Sequence, residues 1–302
     1  MTTPAAAFRA ERRRQLAARS ELINGAMDEV RALLATARDE VAKKLGAQPS
    51  DYQRWRLGEL QGEIERMIDL FGEEAGAALD AAGERAWAAG ADLVLAPLGA
   101  GGYAVTGMAA LLDVRQLAAI TSFMTDRLKD VAVEAAQTIR RELSLASVGA
   151  QSIGDTIAAV DAALGGQART RAITITRTEL GRLYSVASKA AMDEAAQEIP
   201  ELRKQWRRSG KVHSRLAHDI ADGQVREVGK PFAVGGYQMQ HPHDPAAPAR
   251  ETINCGCVML PWIEDWEVAT AGRRPFTEEE IARNPMKRAL EANLKKQAEK
   301  SP

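Results

Sequence analysis

A chain of 302 residues is long enough for two or three domains, and a formal charge of -1 gives it no overall drive toward nucleic acid. Two cysteines exclude a disulfide framework and fit a reducing compartment. Alanine is abundant and aromatics are only 5%, so helix propensity is high while each residue has little apolar area to bury.

Long helices packed through small side chains are therefore expected. Met1 to Ser20 carries Arg9, Arg12, Arg13, Arg14 and Arg19 with no apolar run behind them. That is not a secretory signal, and a solvated, fraying helix start is expected in preference to a nucleic-acid arm. Ser20 to Leu45 reads as an amphipathic helix with Leu22, Ala26, Val30, Leu33, Ala37 and Val41 on one stripe, ended by Gly46 and Pro49. Ser50 and Asp51 can cap a second helix. Its stripe is Leu57, Leu60, Ile64, Met67, Ile68 and Phe71, and the pattern continues toward Trp87. Leu93 to Leu112 matches a bilayer span in length and has no formal charge. Pro97, Gly99, Gly101, Gly102 and Gly107, with no polybasic flank, argue against a membrane role. The expectation is a flexible apolar loop that meets a partner or rearranges during assembly.

Asp113 opens the clearest helix, with Leu117, Ile120, Met124, Leu128, Val131, Ala135 and Ile139 at three- and four-residue steps. Arg140 and Arg141 suit its last turn, and Gly149 stops it. A short helix over Ser152 to Leu164 should end at Gly165 and Gly166. Ala168 to Gln197 is a further helix, stopped by Pro200, with Ile173, Leu180, Leu183 or Tyr184, Ala187 and Ala191 inward. Arg177 and Glu179 lie two apart on it and cannot face the same way, so one should point toward the C-terminal unit. Helical periodicity is lost from Trp206 to Trp262. Pro231 to Gly236 reads as a strand and turn, and Ile253 to Leu260 as a strand bounded by Pro261. Thr277 starts a last helix with Glu278, Glu279 and Glu280 in its first turn, and Pro285 breaks or restarts it. Arg283 to Lys300 holds six basic and two acidic side chains. A frayed, solvated tail is the expectation, with contact to DNA or an acidic surface as the alternative. The fold class is α+β: a mostly α-helical, elongated N-terminal part and a small, loop-rich α+β C-terminal domain. The division is 1–92, 93–112, 113–167, 168–262 and a helical basic tail, 263–302.

All four histidines and both cysteines fall between His213 and Cys257. In a strand, Cys255 and Cys257 would point to one face, with Cα atoms about 6.5–7 Å apart, which disfavours a disulfide. Two thiolates, a histidine and one further donor can form a tetrahedral zinc site. Cys255, Cys257, His218 and His243 are the leading set; His213, His241, Asp222 and Asp244 are alternatives. A single Cys-x-Cys does not separate this from two buried, reduced cysteines beside satisfied histidines. Any metal is expected to be structural, because no acid or base for an activated water stands out. Asp222-Gly223 is a turn signal, and Pro242 and Pro245 fix the loop carrying His243 and Asp244. Asn254 can bond across to that loop, and Trp206 and Phe232 supply most of the large apolar surface.

In order, the segment presents Arg177-Thr178-Glu179 on a helix, Trp206, Arg215 and His218 three apart, and Asp222-Gly223. Pro231-Phe232, Pro242-His243-Asp244-Pro245 and Asn254-Cys255-Gly256-Cys257 follow. This series, over about 90 residues, resembles the C-terminal domain of phage Mu F-like minor head proteins, also called phage head morphogenesis proteins, whose relatives include the minor capsid protein of the Bacillus phage SPP1. One departure is Gly256, where the family usually has Arg. The resemblance implies a low-copy structural protein of a phage or prophage head, in the capsid interior of the virion and in the host cytoplasm during assembly. It would associate with the portal and with capsid or scaffold proteins, and influence DNA packaging or ejection. It also implies that Arg177, Glu179, Trp206, Arg215, His218, Asp222, Asp244 and Asn254 hold the domain together without catalysis. Domains of the family also occur joined to toxins. A metal-dependent hydrolase, nuclease or transferase is the runner-up, and DNA binding through the two basic ends is a third reading.

Overall fold

The computed structural model describes residues 3–46, 56–104, 114–148, 150–263, 266 and 274–300. Its elements are α1 (Pro4–Gly46), α2 (Arg56–Ala100), α3 (Val114–Ser147), α4 (Ile153–Ala162), a π-turn (Ala163–Ala168) and α5 (Arg169–Glu198). Then come β1 (Leu202–Arg207), α6 (Leu216–Ala221), β2 (Val225–Glu227), β3 (Phe232–Val234), β4 (Tyr237–Met239), α7 (Ala249–Thr252), β5 (Val258–Ile263), α8 (Glu278–Arg283) and α9 (Pro285–Lys300). The class is α+β, with helices first and small antiparallel sheets near the C-terminus. Spatial clustering divides the chain into two compact units. One comprises Met1–Arg19, Ala86–Leu112 and Gly181–Pro302; the other comprises Ser20–Arg85 and Asp113–Leu180. Among the described residues, no helix is long and apolar enough to cross a membrane.

The second unit is wholly helical. The inward stripe of α1 here is Ile23, Met27, Val30, Leu34, Ala37, Val41 and Leu45, with Leu22 and Leu33 only half-buried. Helices α2 and α3 run antiparallel: Glu65 pairs with Arg140 at 2.7 Å, Gly72 lies against Ala132, and Asp80 accepts from Thr125 Oγ1 at 2.7 Å. Gly165 and Gly166 do not end α4. The helix widens by a π-turn through them and runs on into α5, with Leu164 and Ala168 buried. Within this unit Glu179 is fully buried and accepts from Arg127 Nη1 at 3.1 Å, while Arg177 is half-buried.

The first unit gathers the ends of three long helices around the sheets. Leu93, Val94, Leu95 and Leu98 are buried on α2, which continues through Pro97 to Ala100. The expected loop is thus helical over its first eight residues; residues 105–112, and Gly149, lie outside the described set. Pro97 is tolerated because its lost hydrogen bond is one among many in a long, well-packed helix. The N-terminal turns of α1 are not a solvated start either. Phe8 is buried, Arg12 donates to Pro261 O at 3.3 Å, and burial pulls the Arg12 guanidinium down to about 10.

Strand order is β2-β1-β5, all antiparallel, with β3-β4 as a separate hairpin closed by Gly235 and Gly236, both at positive φ. Pro261 does not bound β5. It sits inside the strand opposite Lys204, and β5 is an edge strand, where a missing N–H costs no ladder bond. Helix α8 starts with a full capping box between Thr277 and Glu280. The tail is not simply solvated. Glu280 and Lys287 are buried and bonded to each other at 2.6 Å, and Arg208 of β1's end donates to both Glu280 oxygens. Burial alone would raise the Glu280 carboxyl; hydrogen bonds from Arg208, Lys287 and the Thr277 amide outweigh it and bring it to about 2. The side chains of Lys295, Lys296 and Lys300 are not described.

Two outcomes follow. A Cβ at Gly90 would lie 2.5 Å from Tyr184 O and 2.9 Å from the Ala187 Cβ, a contact backbone must move to relieve. Gly90→Ala should cost about 1–3 kcal/mol in chemical denaturation. The depressed Glu280 carboxyl contributes stability that is complete above the ordinary glutamate range, near 4.5, and is lost as pH falls toward 2. Acid titration of melting should show that loss, and Glu280→Gln should flatten it.

Candidate metal centre

His218 is delivered by α6, a six-residue helix whose N-cap, Arg215, anchors it by donating from Nη2 to Ile253 O at 2.6 Å. The partner of this anchor is the turn that follows α7, in which Asn254 adopts φ +56°. That left-handed residue turns the chain sharply before Cys255. Cys255 and Cys257 therefore lie in a loop between α7 and β5, not in the strand expected for them. They face together because the loop curls: the Cys257 amide donates to Cys255 Sγ at 3.4 Å, an interaction that favours thiolate at Cys255. Both are buried and unoxidised.

The imidazole of His218 is held from both sides. Nε2 lies 3.0 Å from Glu251 Oε2 on α7, and Nδ1 lies 3.4 Å from Cys257 Sγ and 3.5 Å from Cys255 Sγ. An ionised Glu251 only accepts, so it takes the Nε2–H and leaves the Nδ1 lone pair aimed at the two sulfurs. This carboxylate–histidine arrangement is the one that orients a metal ligand. The nitrogen–sulfur separations also match the edge of about 3.6 Å of a tetrahedron built on usual Zn–N and Zn–S lengths. The three ligand atoms lie within 4.8 Å of one another, and they form a cluster that can hold a metal ion. Burial pulls the His218 pKa down, but the Cys255 sulfur and Glu251 outweigh it and leave it raised. Within the sulfur pair, the hydrogen bond between them lowers Cys255 and raises Cys257. The rings of His218 and Trp206 meet in a T-shaped contact with centroids 5.6 Å apart, and Trp206 meets Phe232 at 5.4 Å.

The other expected ligands lie elsewhere. His243 is not in the cluster. It sits at φ +65° in the Pro242–Pro245 turn and is fully buried, its ring against helix α5. A Cβ at Gly181 would lie 2.6 Å from its Nε2, so the imidazole occupies the space that this glycine leaves. Neither ring nitrogen has a hydrogen-bond partner among the described residues, and burial lowers its pKa to about 4. His241 is buried and bonds Pro242 O at 2.8 Å through Nδ1. His213 is exposed. Asp244 fixes its own turn, accepting from the amides of Gln240 at 2.6 Å and Ala246 at 2.9 Å. Asp222 accepts from the Arg208 amide at 2.8 Å, from the Arg274 amide and from Arg207. Neither aspartate is a ligand in the cluster.

Sequence reasoning passed over Glu251, the partner of His218, and a group of buried charges elsewhere in the unit. Arg208 and Lys287 lie near Asp219, at 3.8 and 3.7 Å, and Asp219 accepts from Ser214 Oγ at 2.7 Å. Lys204 is also buried, donating to Gln240 O at 2.8 Å over the Phe232 ring, and burial lowers it to about 7. A Glu three residues before the Asn-Cys-x-Cys run, in reach of a histidine, would have needed the α7 turn to be foreseen.

Comparison with known proteins gives partial matches. A stretch of 120 residues is 35% identical to the uncharacterized protein YqbB of Bacillus subtilis (strain 168), covering 38% of this chain and 37% of that protein. A stretch of 94 residues is 29% identical to the NAD(+)--arginine ADP-ribosyltransferase EFV of Enterococcus faecalis, covering 31% of this chain and 19% of that protein. The chain thus spans well under half the length of these curated relatives. No protein-family model matches the chain, and no solved structure matches it.

If the cluster supports the fold, Cys255→Ser with Cys257→Ser should lower the melting temperature by roughly 5–10 °C and open the first unit to protease. Unchanged melting and protease resistance would remove that role.

Proposed function

We propose that the protein is a minor head protein of a phage or prophage, acting in head morphogenesis, and that its His–Cys–Cys cluster carries a structural zinc ion. The observation that carries the reading is the ordered motif series from Trp206 to Cys257. Its parts lie in a single compact unit, where Trp206, His218, Asp222, Asp244, Cys255 and Cys257 are all buried. Trp206 backs His218, Arg215 ties α6 to the Ile253 turn, and Asp222 ties the end of β1 to the chain before α8. Residues serving as fasteners suit a domain that docks and endures rather than one that turns over substrate. Zinc is favoured by two thiolates and one imidazole at near-tetrahedral separations, with the imidazole tautomer set by Glu251.

On this reading the protein associates with the portal and with capsid or scaffold proteins, works inside the capsid, and is found in the host cytoplasm during assembly. The basic ends give at most weak contact with DNA, since Arg12, Arg19 and Lys287 are buried.

A metal-dependent enzyme is the second reading. It is favoured by the cleft on which the cluster opens and by the partial similarity to an ADP-ribosyltransferase. A match of 94 residues is the size of one module, so that protein's activity is not carried over with it. Co-expression with a phage portal protein from the same genome should, on this reading, yield a complex that survives gel filtration. Failure to associate, together with chelator-sensitive turnover on a screened substrate, would favour the enzyme.

A further inference from the structure

The three residues of the cluster line a cleft of about 270 Å³ whose other walls include Lys211, His213, Arg215 and Asn254. Among the described residues, no aspartate or glutamate lines it. Among the described residues, no fourth histidine, cysteine, aspartate or glutamate comes within the cluster's 4.8 Å span. A tetrahedral ion held by His218, Cys255 and Cys257 would thus turn its fourth position to this cleft. Open fourth positions of this kind take water or an exogenous ligand.

Charge decides which. An ion of charge +2 on two thiolates and a neutral imidazole is neutral as a whole, so Lys211 and Arg215 set the sign of the rim. Both are fixed by backbone carbonyls: Lys211 Nζ donates to Asn254 O at 3.0 Å, and Arg215 Nη2 to Ile253 O. Gly256 makes room for the first of these. A Cβ there would lie 3.1 Å from Lys211 Cε and 2.8 Å from the Ser209 Cβ, so the lysine stem lies over the bare backbone between the two cysteines. A cation therefore reaches the Cys-x-Cys loop from outside it.

We propose that this cleft is a binding site for an oxyanion, a phosphate or carboxylate oxygen that completes the coordination of the metal while Lys211 and Arg215 neutralise its charge. This rests on the metal reading of the cluster, and not on the assignment to a phage head. The two sources of such an oxygen are a phosphate group and an acidic side chain of a partner.

The test uses the full chain loaded with cobalt(II), whose visible absorption reports its ligands. One cobalt per chain is expected. Titration with inorganic phosphate and, separately, with acetate should shift the spectrum saturably for at least one of them, and the stronger arm names the source. Lys211→Gln should weaken that response about tenfold while retaining one cobalt. His213→Ala should leave the starting spectrum unchanged. A chain that binds no cobalt overturns the metal reading and this inference together. A chain with one cobalt and a spectrum indifferent to both anions overturns the inference alone, as does a spectrum altered by His213→Ala, which would make His213 the fourth ligand.

Discussion

The imidazole of His218 is the point where the parts of the C-terminal unit meet. On one side it accepts the restraint of Glu251 from α7; on the other it faces the sulfurs of Cys255 and Cys257 from the loop before β5. Its ring makes a T-shaped contact with Trp206 of β1, which in turn meets the Phe232 ring of the β3-β4 hairpin. Three separate segments meet one side chain, in a unit whose strands are only three to six residues long. Strands this short need support beyond their own ladders: side chains from the ends of α1, α2 and α5 pack with Trp206 and Phe232 into one apolar cluster, and the contacts of His218 add polar cross-links to it. The buried charges repeat the principle. Asp222 ties the end of β1 to Arg274, and Arg208, Glu280 and Lys287 tie it to α8 and α9. Each ion in that group has a partner, without which burying it would be strongly destabilising.

The long helices were legible because their signal is repeated many times over. Met124, Leu128, Val131, Ala135 and Ile139 each report the same face of α3, and all five are buried. Punctuation was read less well. Gly165 and Gly166 look like a stop, yet a π-turn absorbs them; Pro97 looks like a break, yet α2 passes through it. A helix held by packing on both sides of a weak position does not need that position to favour helix. Strand β1 was not foreseen, since Leu-Arg-Lys-Gln-Trp-Arg shows no alternation. Its Lys204, Gln205 and Arg207 are buried by neighbours that offer hydrogen bonds, which a hydropathy pattern does not register.

The cluster was legible in part. The concentration of His and Cys after His213 marked the right region, and His218 with Cys255 and Cys257 do come together. The route differs from the strand geometry expected: the sulfurs converge because Asn254 turns left-handed and the Cys257 amide folds back on Cys255. His243 was a reasonable ligand by spacing, but the turn between its flanking prolines sends the ring against Gly181 instead. Loop direction depends on a few φ values, and residue types constrain those only loosely. The cleft beside the cluster could not be read from the chain, because Lys211 and Arg215 reach it through contacts to backbone carbonyls.

X-ray absorption at the zinc edge of the purified full chain tests the central claim most directly. The account predicts one zinc per chain with two sulfurs at about 2.3 Å, one imidazole nitrogen at about 2.0 Å and one further light atom. A chain carrying no stoichiometric zinc, or a zinc with no sulfur in its shell, would contradict it.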